Sequence, residues 1–330
     1  MNPDFNIRFK SYLSTLSNQL EKTAESVNPG LEFYRSGARN TLFRLEGICR
    51  MYRKIADSKK LDKWYKVFKE LEDILGSIDH NDTMAREFAQ IPELKALSDK
   101  VFLERFNAEI DFLGEKLKSD NWIGGAKTKA ILKDIQELNN MNSEQEREAV
   151  AEFLIDEMQK LEWQYEEGEI DLRKIEDGLH EFRRKLRWIS IYATVLEGGV
   201  QLRNVPALDP NIESYCTDAI VNSPFNRFPP AIEGREPLVI QSTYFYALSW
   251  LIQYLGDLKD VGLRFGAAQE LVQVSEMSEE SRDAFLLQYR QKMDFNPLLV
   301  LTHAEQAIDN FLQRDLILHK IARDLKRELF

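Results

Sequence analysis

Proline is concentrated in one part of this chain. Six of the ten prolines, Pro206, Pro210, Pro224, Pro229, Pro230 and Pro237, lie between residues 206 and 237. Proline lacks a backbone donor and clashes with the preceding helical turn, so its scarcity elsewhere leaves long stretches free to be helical. In those stretches apolar residues recur close to every 3.6 positions. In "LDKWYKVFKELEDIL", Leu61, Trp64, Phe68, Leu71 and Leu75 fall at i, i+3, i+7, i+10 and i+14. That spacing draws one apolar stripe along a helix. "EREAVAEFLIDEMQKLEWQY" and "AIDNFLQRDLILHKIARDLKREL" read as helices in the same way. "PLVIQSTYFYAL" is the best strand candidate, but its apolar run continues to Leu255, so a loop running into a helix is expected. Residues 203–238 form the one long irregular segment, and loops of that length usually carry function or move.

Two helices carry an excess of cations. "DGLHEFRRKLR", Asp177 to Arg187, holds His180, Arg183, Arg184, Lys185 and Arg187 in a chain whose net charge is −11. At about 100° per residue, Arg184, Arg187 and Thr194 lie within about 40° of His180, and Arg183 lies at about −60°. Phe182, Leu186, Ile189, Ala193 and Leu196 occupy the opposite side. In "YRSGARNTLFRLEGICRMYRK", Arg35, Arg39, Arg50, Arg53 and Lys54 share a face about 100° wide, and Glu46 falls among them. One reading is a pair of solvated faces. The other is a pair of walls for a multiply charged, linear anion. Arginine suits the second, because its planar fork grips phosphate oxygens and keeps its charge.

The two stretches are parts of a coarse repeat. Each is followed by a helix that reads as ending in Leu-Gly with an aspartate nearby, "LEDILGSIDHND" and "LIQYLGDLKD". Arg39 and Arg183 are about 144 residues apart, and Gly76 and Gly256 about 180. The excess matches the Pro-rich insertion. The expected architecture is all-α. Two related four-helix-bundle-like halves, residues 1–150 and 151–330, would pack around a central basic groove.

These residues resemble the conserved histidine α-helical domain, the CHAD family. That family has a His-x-x-Arg-x-x-x-Arg/Lys helix in each half, followed by a Leu-Gly helix end with an aspartate. His180, Arg183, Arg187 and "LGDLKD" fit the pattern in the second half. In the first half Arg39, Arg44, Arg50 and "LGSIDHND" fit, with Ser36 where the histidine would stand. Phe43, Glu46, Trp188 and Ser190 stand where the family often has arginine. The resemblance spans nearly the whole chain. It implies an all-helical protein that binds inorganic polyphosphate in a basic cavity, without catalysis or cofactor, in the cytoplasm and at polyphosphate granules. The polyanion contacts it implies are Arg39, Arg44, Arg50, Lys54, His180, Arg183, Arg184 and Arg187. His319 and Arg323, on one face of the last helix with Lys326, would form a third wall or simply complement that helix's dipole.

Other signals are weaker. The two cysteines, Cys49 and Cys216, offer no disulfide framework, which fits a reducing compartment. "MNPDFNIRFKSYL" has no apolar core of a secretory signal, and no apolar run is long enough to span a membrane. The acidic balance argues against general nucleic-acid binding. Four histidines without His-Glu-x-x-His do not make a zincin, and Glu176 and His180 are not at the i, i+3 spacing of di-iron bundles. "DHND", Asp79 to Asp82, reads as a helix-ending loop, and "WIGGAKTKA" as a turn into a helix. A helical scaffold for a protein partner is the main alternative function, and a phosphate-chain hydrolase is the third.

Overall fold

The chain is all-α. The computed structural model describes residues 4–138, 141–172, 175–204 and 210–328, with the side chains of residues 4, 175–177 and 210 outside that description. Pro206 and the side chains of Glu176 and Asp177 therefore lie outside the described residues.

Two compact units divide the chain. The first comprises Met1–Asn140 with Ala267–Leu286, and the second Met141–Gly266 with Leu287–Phe330. The first unit is therefore built from two separate segments, where the sequence suggested one division near residue 150.

The first unit contains α1 (Asp4–Ala24), α2 (Pro29–Arg35), α3 (Ala38–Ile55), α4 (Lys59–Phe88), α5 (Pro92–Ser98), α6 (Glu104–Ser119) and α7 (Ala126–Gln136). A wider π turn, Asp99–Leu103, joins α5 to α6. The apolar stripe of α4 is fully engaged: Leu61, Trp64, Phe68, Leu71 and Leu75 are all buried. Each such burial contributes about 2 kcal/mol. Ser58 caps α4 by accepting from the Leu61 N–H. The chain breaks between α2 and α3 at Gly37, whose φ of 73° suits glycine. Helices α2 and α6 cross backbone to backbone at Gly30 and Gly114. "WIGGAKTKA" is a turn into a helix, with Gly124 and Gly125 at positive φ before α7.

The second unit contains α8 (Ser143–Glu166), α9 (Glu181–Val195), β1 (Val200–Arg203), α10 (Pro210–Glu213), α11 (Asp218–Val221), β2 (Leu238–Gln241), most of α12 (Ser242–Gln273), part of α13 (Glu279–Lys292), α14 (Pro297–Asp309) and α15 (Ile317–Arg327). The end of α12 and the start of α13 belong to the first unit. Between α11 and β2, only one short 3-10 turn, Pro224–Asn226, interrupts irregular chain. On α9 the five residues opposite the cations, Phe182, Leu186, Ile189, Ala193 and Leu196, are all buried.

Four expectations are corrected. Leu238–Gln241 is a strand, not a loop, because it pairs in parallel with Val200–Arg203 and turns Leu238 and Ile240 inward. The Leu-Gly sites do not end helices: α4 runs on to Phe88 and α12 to Gln273. "DHND" is consequently inside α4 and is not a loop. The last long helical pattern is broken. A π turn at Asn310–Arg314 is followed by Leu316 in the left-handed region, φ 51°, before α15 starts. Among the described residues no helix is long and apolar enough to cross a membrane.

Candidate functional site

The arginines that begin the two basic helices are held by the same device. On α4, Glu72, Gly76 and Asp79 fall at i, i+4 and i+7, on one stripe. Arg39 of α3 lies along it. Its Nε donates to Glu72 Oε1 at 2.8 Å and its Nη1 to Asp79 Oδ2 at 2.9 Å. A Cβ on Gly76 would stand 2.9 Å from Arg39 Nη2. Gly76 is therefore a notch for the guanidinium, and not a helix cap.

Arg183 of α9 repeats this on α12. A Cβ on Gly256 would stand 2.8 Å from its Nη2 and 2.9 Å from its Nε. Its Nε donates to the backbone carbonyl of Ile252 at 2.9 Å. Ile252 precedes Gly256 by four residues, as Glu72 precedes Gly76. A helical carbonyl has a second lone pair, so it can serve the arginine without leaving the helix. The partner has thus changed from a carboxylate to a neutral oxygen. Burial lowers the Arg183 pKa, and Asp260 and then Asp257 oppose that through space.

The remaining cations are placed differently in the two units. In the first, α4 supplies a carboxylate to Arg53 as well as to Arg39. Arg53 pairs with Asp62 at 2.5 Å and lies over the Tyr65 ring. Arg50 is half-buried, and Arg44 is exposed over the Tyr12 ring, 5.4 Å from its centre. Lys54 is exposed at the end of α3. Glu46 is buried among them at 2% exposure, and its Oε2 has no hydrogen-bond partner. Burial first, and Glu72 second, push its carboxyl up to about 7. In the second unit, Arg184 pairs with Glu181 at 2.7 Å, and Lys185 donates to Gln164. His180 and Arg187 are half-buried. His319 and Arg323 are both exposed on α15.

So the structure brings Arg183, Arg184, Arg187 and His180 together on the start of α9, and Arg39, Arg44, Arg50 and Lys54 along α3. What sequence reasoning missed is the carboxylate complement. Glu72 and Asp79 flank Gly76 at helical spacing, which is a legible signal for an arginine partner. Among the described residues no group of three or more His, Cys, Asp or Glu side chains converges as a metal site. No known family model matches this chain, and neither curated proteins nor solved structures show a significant similarity to it.

Proposed function

We propose that this chain binds an extended polyanion without transforming it, with inorganic polyphosphate as the type of ligand and α9 as the principal wall. The observation that carries this reading is the duplicated notch, Arg39 on Gly76 and Arg183 on Gly256. It joins the two halves of each motif on which the resemblance to the CHAD family rests. It also fixes the base of each cationic helix. α9 is favoured over α3 because Arg183 is anchored by a neutral carbonyl and Arg39 by two carboxylates. A guanidinium held without a direct counter-charge keeps more of its field for a ligand.

Calorimetric titration with long-chain polyphosphate at two salt concentrations, with orthophosphate as control, tests this. Tight binding that weakens steeply with salt is expected, because each phosphate contact releases a counterion. Replacing Arg184 and Arg187 together by alanine should weaken binding and flatten its salt dependence. These two are preferred to Arg183 as test sites, because Arg183 is also part of the α9–α12 packing. Unchanged binding in the double variant would overturn the site assignment.

A protein partner is the second reading. It is favoured by the start of α14, where Leu298 and Leu299 are 72% and 52% exposed. Absence of polyphosphate binding at low salt would move the search there.

A further inference from the structure

A cleft of about 610 Å³ opens in the first unit where α2 breaks from α3. That size is in the range of small-molecule sites. One wall comes from the break itself and carries Arg35 and Arg39, with the Asn40 amide able to donate beside them. The other wall is α4, which contributes Asp79, Asp82 and Arg86. Arg35 is exposed and has no ion-pair or hydrogen-bond partner among the described residues. Arg39 is held rigidly in its notch, 35% exposed along its side chain.

Both cleft carboxylates already have donors, although Arg39 is shared between Asp79 and Glu72. Asp79 accepts from Arg39, and Asp82 accepts from Arg86 at 2.5 Å and from the Tyr34 hydroxyl at 2.7 Å. Burial and then the Asp82 hydrogen bond hold the Tyr34 phenol well above its ordinary range, so it remains a donor. Each carboxylate oxygen can accept more than one hydrogen bond. Their spare lone pairs face a ligand that needs no further positive charge. They call for neutral donors, while Arg35 calls for an anion.

The side chains that line the cleft are not repeated in the second unit. With Arg39 matched to Arg183 and Gly76 to Gly256, the places of Tyr34, Arg35, Asn40, Asp79, Asp82 and Arg86 fall on Gly178, Leu179, Arg184, Lys259, Gly262 and Gly266. No arginine or aspartate of the set is kept at its own place, apart from Arg39. The chain there is also continuous through His180 into α9, where the first unit breaks at Gly37. A set of side chains present at only one of two matched places in the sequence indicates a task of its own.

We propose that this cleft binds a small hydroxylated phosphate monoester, its phosphate on Arg35 and Arg39 with the Asn40 amide, and its hydroxyls donating to Asp79 and Asp82. This site does not rest on the polyanion reading, since its ligand is compact and its test uses no polyphosphate. The probes are glycerol 3-phosphate, inorganic phosphate, glycerol and phosphoethanolamine, each titrated into the full chain by calorimetry. One glycerol 3-phosphate should bind per chain, more tightly than inorganic phosphate, with no binding of glycerol. Arg35→Ala should weaken it at least about tenfold, the loss of one charged hydrogen bond. Arg35 is exposed, so the fold should survive, and circular dichroism checks this. Asp82→Asn should narrow the preference for glycerol 3-phosphate over phosphate, because an amide oxygen is a weaker acceptor than a carboxylate and only Asp79 keeps its charge. Equal binding of the two by the unaltered chain, tighter binding of phosphoethanolamine, or an Arg35→Ala variant that binds normally would each overturn the proposal.

Discussion

The guanidinium of Arg183 lies where Gly256 would carry a side chain, with Nη2 2.8 Å from the missing Cβ. Arginine and glycine here form a single contact between α9 and α12, as Arg39 and Gly76 do between α3 and α4.

Alanine at Gly256 should therefore destabilise, against the usual direction for an exposed helix interior. Glycine to alanine gains about 1 kcal/mol of helix propensity. Expelling Arg183 forfeits its bond to Ile252, and hydrogen bonds of charged groups contribute about 1.5–3 kcal/mol. The net loss should be about 1 kcal/mol, read as a lower urea midpoint. Gly76→Ala should cost less, because its Cβ would press on Arg39 Nη2 alone at 2.9 Å, whereas a Cβ on Gly256 would stand within 3.1 Å of three guanidinium atoms of Arg183. Equal stabilisation by both alanines would remove the notch as an energetic element.

Gly30 should tolerate no side chain. A Cβ there would stand 2.0 Å from the Ile110 carbonyl oxygen and 3.0 Å from the Gly114 nitrogen, both backbone atoms. Neither can rotate away, so α2 and α6 would have to separate. Gly30→Ala should destabilise by about 3 kcal/mol or more. Gly114→Ala meets only the Gly30 nitrogen at 3.2 Å and should be distinctly milder. Chemical denaturation of the two variants side by side would show whether that asymmetry exists.

Glu46 should make the first unit less stable as the solution becomes alkaline. Burial and the neighbouring Glu72 raise its carboxyl to about 7, against the weaker pull of Lys69 and Arg50 and with Asp73 adding to the rise. The folded form therefore holds a proton that the unfolded form has released. Stability from this group is full below about pH 4.5 and is lost as pH rises through about 7. The loss is on the order of 3 kcal/mol. Glu46→Gln should flatten the profile over that window and raise stability at pH 8. A profile that keeps its slope in Glu46→Gln would remove Glu46 as the cause.

Glu162 should act with the same sign in the second unit. Burial and Glu166 raise it to about 7, while the backbone N–H of His319, in the first turn of α15, favours its charge. That N–H is otherwise one of the unpaired donors that open a helix. Glu162→Gln should thus flatten the second unit's profile across pH 5 to 8 while loosening the start of α15. Hydrogen exchange at His319 would report the second effect, and unchanged protection there would count against the cap.

Much of this fold was legible because burial leaves a period in the sequence. The stripes of α4 and α9 are the apolar positions at helical spacing, and each residue of both stripes is buried. What was illegible depends on partners far away in the chain. β2 is a strand only because Val200–Arg203 lies beside it, and its Gln241 N–H is met by Asp324. Gly76 and Gly256 look like helix stops until the arginines that fill them are in place. Leu316 carries no turn signature, so the break before α15 leaves no mark. On the candidate site, a helical wheel finds the cations of α3 but not the carboxylates that α4 sets against Arg39 and Arg53. The Arg35 cleft was hidden for the same reason, since its two walls are about 45 residues apart.

The division of α12 has a consequence for how this protein must be made. Its last residues, with Ala267, Ala268, Leu271 and Val272 buried, belong to the first unit, and Glu270 there pairs with Arg105 at 2.6 Å. A nascent chain leaves the ribosome from its N-terminus, and domains generally fold as they emerge. Here residues 4–138 emerge early, and the segment that completes their unit follows most of the second unit. The places on the first unit that bury Ala267, Ala268, Leu271 and Val272 are without them throughout that interval, and a gene truncated before residue 267 would leave them so for good.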